Sequence, residues 1–347
     1  MTEVKINHEI LKEFCIAALE SRNVRNDVID HVKTSLIQTS LRGVDSHGIE
    51  LLPHYIRAID AGRINPQPNY KYEMTATGTG KFDGDHTFGH AGGGEAMKNA
   101  IALAEKNGIG AVSVHNSTHF GAAAYFALLA SSQDFIGLSF THADALMLSY
   151  GGTRPYFGTN PICFSAPCAN EEPFCLDMAT SLVSWNKILR YRNSNQEIPS
   201  EWACDDNGDV SSDPHQVASL LPIGGYKGFG LSMMIDILCG ILAGMPFGRD
   251  ISRMYGDPIE QKRFLGHFFI AIKIESFLPL EIFKQQLQKM MDSVRNEPNK
   301  NPDISIMVAG DPEKRTYETR MKDGIPISET GYNNFQKIAQ EINFNLT

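Results

Sequence analysis

Apolar residues recur along this chain first at helical spacing, then in alternating helical and strand-like runs. Ile10, Leu11, Phe14, Ala17, Ala18 and Leu19 fall mostly three to four apart, which predicts an N-terminal helix. Val28, Ile29, Val32, Leu36 and Ile37 form the stripe of a second helix, about 26–41, with Asn26 or Asp27 as its cap. Arg42-Gly43 ends it, because glycine takes the left-handed conformation that closes a helix. A third helix is expected from Ile49 to Ala61, closed by Gly62. From about Pro66 the pattern changes, and Tyr70–Ala76 and Thr79–Asp83 predict short strands between glycine turns. A helix over about Gly93–Lys106, a buried strand over Ala111–Val114, a helix over Ala122–Ser132 and a strand over Ile136–Phe140 follow. This alternation predicts an α/β fold class.

The stretch 151–213 is rich in Gly, Pro and Asn and reads as loop with short strands. Beyond it come an apolar helix, Gly230–Leu242, a strand, His267–Ile274, and an amphipathic helix, Leu280–Val294. A polar linker, Asn296–Pro302, leads toward a last helix, Glu329–Ile342.

Composition narrows the function. The 347 residues suffice for one large domain or two moderate ones. A formal net charge of −9 argues against a nucleic-acid partner, whose phosphates need clustered Lys and Arg. It leaves room for a small anionic substrate, which needs one local cation. No apolar run approaches the roughly 18 residues that span a bilayer. The longest candidate, 231–245, is broken by Ser232, Asp236, Gly240 and Gly244, so no membrane partner is expected. The N-terminus lacks an apolar core of signal-peptide length, and six scattered cysteines form no Cys-x-x-Cys pair, so a reduced cytoplasmic protein is expected.

Candidate chemistry concentrates in a few strings. Gly89-His90-Ala91-Gly92-Gly93-Gly94 opens a helix, but its spacing is not that of a dinucleotide-binding loop, and it reads as a flexible helix entry. His115 and His119 are four apart, yet His115 follows a strand and no metalloprotease-like Glu stands beside it, so no metal site is expected. A metal-dependent hydrolase using His115, His119 and a carboxylate such as Asp144 is the alternative of a different class. His119 lies in a loop after a strand and before a helix, where ligand crevices form in open α/β sheets. An imidazole there suits proton exchange near neutral pH. His47, in Arg42-Gly43-Val44-Asp45-Ser46-His47-Gly48, opens a helix, where the dipole favours a neutral imidazole or a bound anion. Asp177 ends a strand-like run and can cap a helix or hold a ribose hydroxyl. Lys227, among Gly225, Gly228 and Gly230, can bring an ammonium to an anion such as a pyrophosphate. Asn160 precedes Pro161 and is expected to be held extended, with its side chain aimed at a ligand.

Five strings in order, Asp45-Ser46-His47-Gly48, Asn116-Ser117-Thr118-His119-Phe120-Gly121, Phe157-Gly158-Thr159-Asn160-Pro161, Leu176-Asp177-Met178-Ala179-Thr180-Ser181 and Gly224-Gly225-Tyr226-Lys227-Gly228, resemble the second-type malate/L-lactate dehydrogenase family. Ser184-Trp185-Asn186-Lys187, Ile198-Pro199-Ser200-Glu201-Trp202-Ala203 and Gly244-Met245-Pro246-Phe247-Gly248-Arg249-Asp250 are similar to ureidoglycolate dehydrogenases within that family. The resemblance implies a non-Rossmann nicotinamide site in a mixed-sheet body, residues 69–299, and a helical subdomain built from both chain ends, 1–68 with 300–347. It implies NAD or NADP as cofactor, a small 2-hydroxy or 2-oxo acid as substrate, and a homodimer or larger homo-oligomer. It implies His119 as the acid/base and His47 as its catalytic neighbour, with Ser46 and Tyr55 toward the substrate. Thr159, Asn160, Pro161, Asp177, Met178, Ala179, Lys227 and Asp144 fall toward the cofactor. The family usually carries an arginine three residues after the glycine of Ser-His-Gly, and here that position is Leu51. Leucine cannot grip a carboxylate, so either another cation such as Arg42 substitutes or the substrate lacks a carboxylate at that point. Malate/lactate dehydrogenase, imine reductase and a non-catalytic cofactor-binding relative are the other readings.

Overall fold

The computed structural model describes residues 3–301 and 303–346, so Pro302 of the predicted linker lies outside the described residues. In chain order the elements are β1 (Glu3–Ile6), α1 (His8–Glu20), α2 (Asn26–Leu41), α3 (Leu52–Asp60), β2 (Lys71–Ala76), β3 (Thr79–Asp83), α4 (Gly89–Asn107), β4 (Ile109–Ser117), α5 (Ala124–Ser131) and β5 (Phe135–Thr141). There follow β6 (Met147–Leu148), β7 (Pro155–Phe157), β8 (Ile162–Ala166), β9 (Phe174–Met178), α6 (Trp185–Ser194), β10 (Ala203–Cys204), β11 (Ser219–Leu220) and α7 (Tyr226–Asp236). The last are β12 (Leu265–Lys273), α8 (Leu280–Arg295), α9 (Asp311–Asp323), β13 (Ile325–Ser328) and α10 (Glu329–Glu341).

The predicted α/β class is met by a mixed seven-stranded sheet in the order β2-β3-β4-β12-β5-β8-β9, with only the β3–β4 pair parallel. Ala96, Met97, Ala100 and Ala104 of α4 and Phe126, Ala127 and Ala130 of α5 bury against Val112, Val114 and Phe269 of the sheet. Across the sheet, Ile235 and Cys239 pack on Phe140. His267 locks the middle strands in register, with Nδ1 on Thr141 Oγ1 at 2.7 Å and Nε2 on Ser117 Oγ at 2.8 Å. A second core joins α1, α2 and α3 to α10, and β1 pairs with β13 in antiparallel register.

Four expectations change. The α2 helix is entered from Arg25 with no side-chain cap, and Asp27 instead takes the Arg25 guanidinium. The glycine cluster 89–94 is not a flexible entry: it lies inside α4, buried throughout. A Cβ at Gly93 would stand 2.7 Å from Phe126, and one at Gly94 2.3 Å from His31, so these glycines exist for close packing. The helix predicted from Gly230 begins at Tyr226, which places Lys227 in its first turn, and it passes into a π-turn over Ile237–Ile241. Within the stretch read as loop, α6 forms behind Ser184, whose hydroxyl accepts from Lys187 N–H.

Candidate active site

The motif Asp45–Gly48 forms a short 3-10 turn between α2 and α3, and three anchors fix it. Arg320 of α9 pairs with the Asp45 carboxylate, Ser40 Oγ accepts from Ile49 N–H at 2.8 Å, and Asn186 Nδ2 donates to the Ser46 carbonyl at 2.9 Å. A Cβ at Gly48 would overlap Ser40, so glycine is required for the turn to sit on α2. Ser46 Oγ meets His47 Nδ1 at 2.8 Å and fixes that ring.

His119 lies in the turn between β4 and α5. Its ring is stacked on His47, with centroids 5.6 Å apart and planes 23° apart. Tyr55, on α3, is 1% exposed and places its hydroxyl 2.8 Å from His119 Nδ1. Nε2 makes no hydrogen bond among the described residues and is the nitrogen left for a substrate. Burial drives the His119 pKa well below its ordinary 6.5, and the charges of His47, His90 and Arg263 push the same way. Burial lowers His47 to about 4. Burial pushes the Tyr55 phenol well above 10, so it stays protonated and its hydroxyl can donate to or accept from Nδ1. His90 stands edge-on to Tyr55 at 5.2 Å, fully buried with neither ring nitrogen hydrogen-bonded among the described residues, and burial lowers it to about 3.

The segments predicted for a cofactor converge on the same end of the sheet. Pairing of β8 with β9 sets Cys163 opposite Asp177 and Ile162 opposite Met178. The Thr159 carbonyl accepts from both Thr180 N–H and Thr180 Oγ1. Asp177 Oδ2 accepts from Ala124 N–H at 2.8 Å and so caps α5, the helix that follows His119. Asp177 belongs to an exposed stretch of β9 in the single chain, yet protein atoms crowd its carboxyl. That desolvation outweighs the Ala124 hydrogen bond and raises its pKa to about 6. Lys227 is exposed in the first turn of α7 and forms no ion pair among the described residues. Gly224 and Gly225 precede it at φ of +59° and +64°. An unpaired ammonium beside a helix N-terminus fits an anionic group such as a nucleotide phosphate.

Two predicted roles are corrected. Asn160 is not extended: its φ is +26°, and its amide is fully committed to the fold. Oδ1 accepts from Ala143 N–H at 2.9 Å and Nδ2 donates to the Ser232 carbonyl at 3.0 Å, so it ties the loop after β5 to α7 rather than reaching for a ligand. Those two bonds hold a left-handed backbone that asparagine tolerates better than most residues. Arg42 does not replace the missing cation at Leu51. It is bound to Glu172 at 2.6 Å and lies over Tyr317, while Leu51 packs into the helical core.

Asp144 forms a buried ion pair with Arg263, which no sequence pattern singled out. His115 turns to Asp83 at 3.7 Å, so it does not converge with His119 and Asp144, and among the described residues no group of three His, Cys, Asp or Glu could hold a metal. His54, Asn186 and His90 also line or brace the site without a signal in the sequence beyond their nearness to the motifs.

Residues 6–336 match the family model described as malate/L-lactate dehydrogenase. The chain is 38% identical to a malate dehydrogenase of Pyrococcus abyssi over 98% of this chain and 95% of that one. It is 36% identical to a ureidoglycolate dehydrogenase (NAD(+)) of Escherichia coli over 83% of this chain and 82% of that one. A malate dehydrogenase structure from Entamoeba histolytica superposes with a TM-score of 0.93 at 31% identity, covering 99% of both chains. The chain belongs to the malate/L-lactate dehydrogenase family and is a nicotinamide-dependent dehydrogenase acting on CH–OH groups.

Proposed function

We propose that this enzyme interconverts a small 2-hydroxy acid and its 2-oxo acid, with His119 Nε2 exchanging the hydroxyl proton. The observation that carries the reading is the Tyr55–His119 hydrogen bond beneath a stacked His47. A bound nicotinamide nucleotide supplies hydride exchange at the carbinol carbon. In oxidation, neutral His119 donates its Nδ1–H to Tyr55 Oη and takes the substrate proton at Nε2. In reduction the imidazolium returns it. Ser46 holds His47 in place, and His47 and Tyr55 wall the substrate space and keep water from it. Lys227 and the start of α7 would hold the nucleotide phosphates, and Asp177 a ribose hydroxyl. Thr159, Pro161, Met178 and Ala179 frame that side. Malate and ureidoglycolate are the first substrates to try, because the relatives named for them align over most of the chain.

The reading includes a homodimer or larger assembly. It is supported by α7 and its π-turn, where Leu231, Met234, Ile237, Ile241 and Leu242 are exposed together. A cytosolic location agrees with six unbridged cysteines.

Thermal unfolding with NAD⁺, NADH, NADP⁺ and NADPH, each added alone, tests the cofactor side. A nucleotide at about 100 times its Kd adds about 2.7 kcal/mol of stability. One redox pair should raise Tm, and no shift with any of the four would sink the nicotinamide site. His119→Ala should retain that shift and lose roughly 10²–10⁴-fold in kcat. Near-normal turnover would remove His119 from the chemistry.

A further inference from the structure

The sheet delivers one more group to His119. β4 and β12 run antiparallel with Leu265 opposite Ser117, so Arg263, just before β12, lies at the same end of the sheet as His119, just after β4. β12 also pairs with β5, with His267 opposite Thr141, which sets the segment before β12 beside the loop after β5. The contacts agree. Arg263 Nη2 pairs with Asp144 Oδ1, and Nε donates to the Ser252 carbonyl at 3.0 Å. The third nitrogen, Nη1, has no hydrogen-bond partner among the described residues and keeps access to solvent, although the residue is only 3% exposed.

The segment that carries Arg263 is held against the site by contacts from α3 and the turn after it. Arg63 donates to the Met254 carbonyl at 3.3 Å and the Pro258 carbonyl at 2.8 Å. Tyr255 packs on His54 at 5.2 Å, and His54 on Tyr55 at 5.9 Å. Arg263 also acts electrostatically on His119, Tyr55 and His54. Asp144 spares the unliganded enzyme an unpaired buried charge while leaving one face of the guanidinium open. Leu51 and Arg42 offer no competing cation.

We propose that Arg263 grips the carboxylate of the substrate through Nη1 while His119 handles the hydroxyl on the neighbouring carbon. This rests on the 2-hydroxy acid reading above. It makes the site selective for an anion next to the carbinol, and an uncharged 2-hydroxy amide should be a poor substrate. A charge-assisted hydrogen bond in a desolvated cleft is the physical source of that preference.

The test compares oxamate with its uncharged analogue oxamide as ligands of the enzyme–nucleotide complex, in wild type, R263K and R263Q. Wild type should favour oxamate by roughly 10²-fold or more, the usual effect of a buried charge pair. R263Q should lose that preference and lose a similar factor in kcat/KM, with nucleotide affinity unchanged. R263K keeps a charge for Asp144 but not the fork, and should lose at least about 10-fold in oxamate affinity. H119A should lose turnover yet keep the oxamate preference. Binding of nucleotide and oxamate by wild type, with the preference intact in R263Q, overturns the role of Arg263 alone. Should R263Q not fold, wild-type oxamate affinity in R263K overturns it. Failure of wild type to bind any nicotinamide nucleotide overturns the reading beneath it.

Discussion

The Tyr55 hydroxyl has one hydrogen-bond partner among the described residues, His119 Nδ1. Tyr55→Phe leaves the ring stacked on His119 and edge-on to His90, and removes only that bond. A buried group left without its partner costs about 1–3 kcal/mol. We expect kcat/KM to fall roughly 5- to 150-fold, with little change in nucleotide affinity. Parallel assays of turnover and nucleotide Kd would show this, and an unchanged kcat/KM would mean that Tyr55 is only packing. The pH profile tests the same atoms. His119 must be neutral to accept a proton, and its pKa lies well below 6.5. Oxidation kcat/KM should therefore be flat from neutrality upward and fall only on the acid side. Reduction needs the protonated ring and should gain as pH drops. An oxidation limb still climbing between about pH 6.5 and 7.5 would contradict the desolvated environment of the ring.

Helix α4 and the turn carrying His119 meet at Gly89. A Cβ there would lie 2.4 Å from the Thr118 carbonyl oxygen and 2.7 Å from Phe120 Cα, all backbone, so neither side can yield cheaply. Gly89→Ala should cost about 1–3 kcal/mol of stability and displace His119, lowering kcat and Tm together. Normal activity in the variant would show that the turn adapts. This junction also marks where the sequence stops being readable. Hydrophobic period placed α1, α2, β3, α5 and β5 to within a few residues, because each buries one stripe or face, and it placed α8 by an amphipathic stripe although that helix buries only Met291. The α6 and α9 helices escaped it: the short stripe of α6, Trp185, Ile188 and Tyr191, sits inside a stretch rich in Gly, Pro and Asn, and α9 buries only Asp311. The motif histidines were legible as chemistry, since an imidazole in a small, polar loop stands out. Arg263 was not, because its place near His119 depends on the pairing of β4 with β12, strands far apart in the chain. Asn160 ran against the pre-proline preference because two tertiary hydrogen bonds outweigh a local one.

At the scale of the whole molecule, the site's histidines couple function to stability. His47 and His54 have pKa values lowered to about 4, and His90 and His267 to about 3, mainly by burial. In the unfolded chain each titrates near 6.5. Between pH 6.5 and about 4 the unfolded state therefore binds up to four more protons than the folded one at these positions, and stability falls with pH. Asp177 has the opposite sign: raised to about 6, it is protonated first in the fold and adds stability as pH drops from 6 toward 3.8. Four protons less one leaves about three, each contributing about 1.4 kcal/mol per pH unit. Glu95, lowered to about 2 chiefly by its hydrogen bond to His31, and Glu171, lowered to about 2 chiefly by Arg295, deepen the loss below pH 4.5. Tm should be highest near neutrality and drop steeply from pH 6.5 to 4.5, where a typical globular protein is still near its optimum. His90 is the residue with which to dissect this, since neither of its nitrogens has a partner to lose. His90→Leu should flatten the acid limb by about one proton, or about 1.4 kcal/mol per pH unit. A Tm constant from pH 7 to 5 in the parent enzyme would show that these rings take up protons without unfolding, and that the pocket around His119 is wetter than its packing implies.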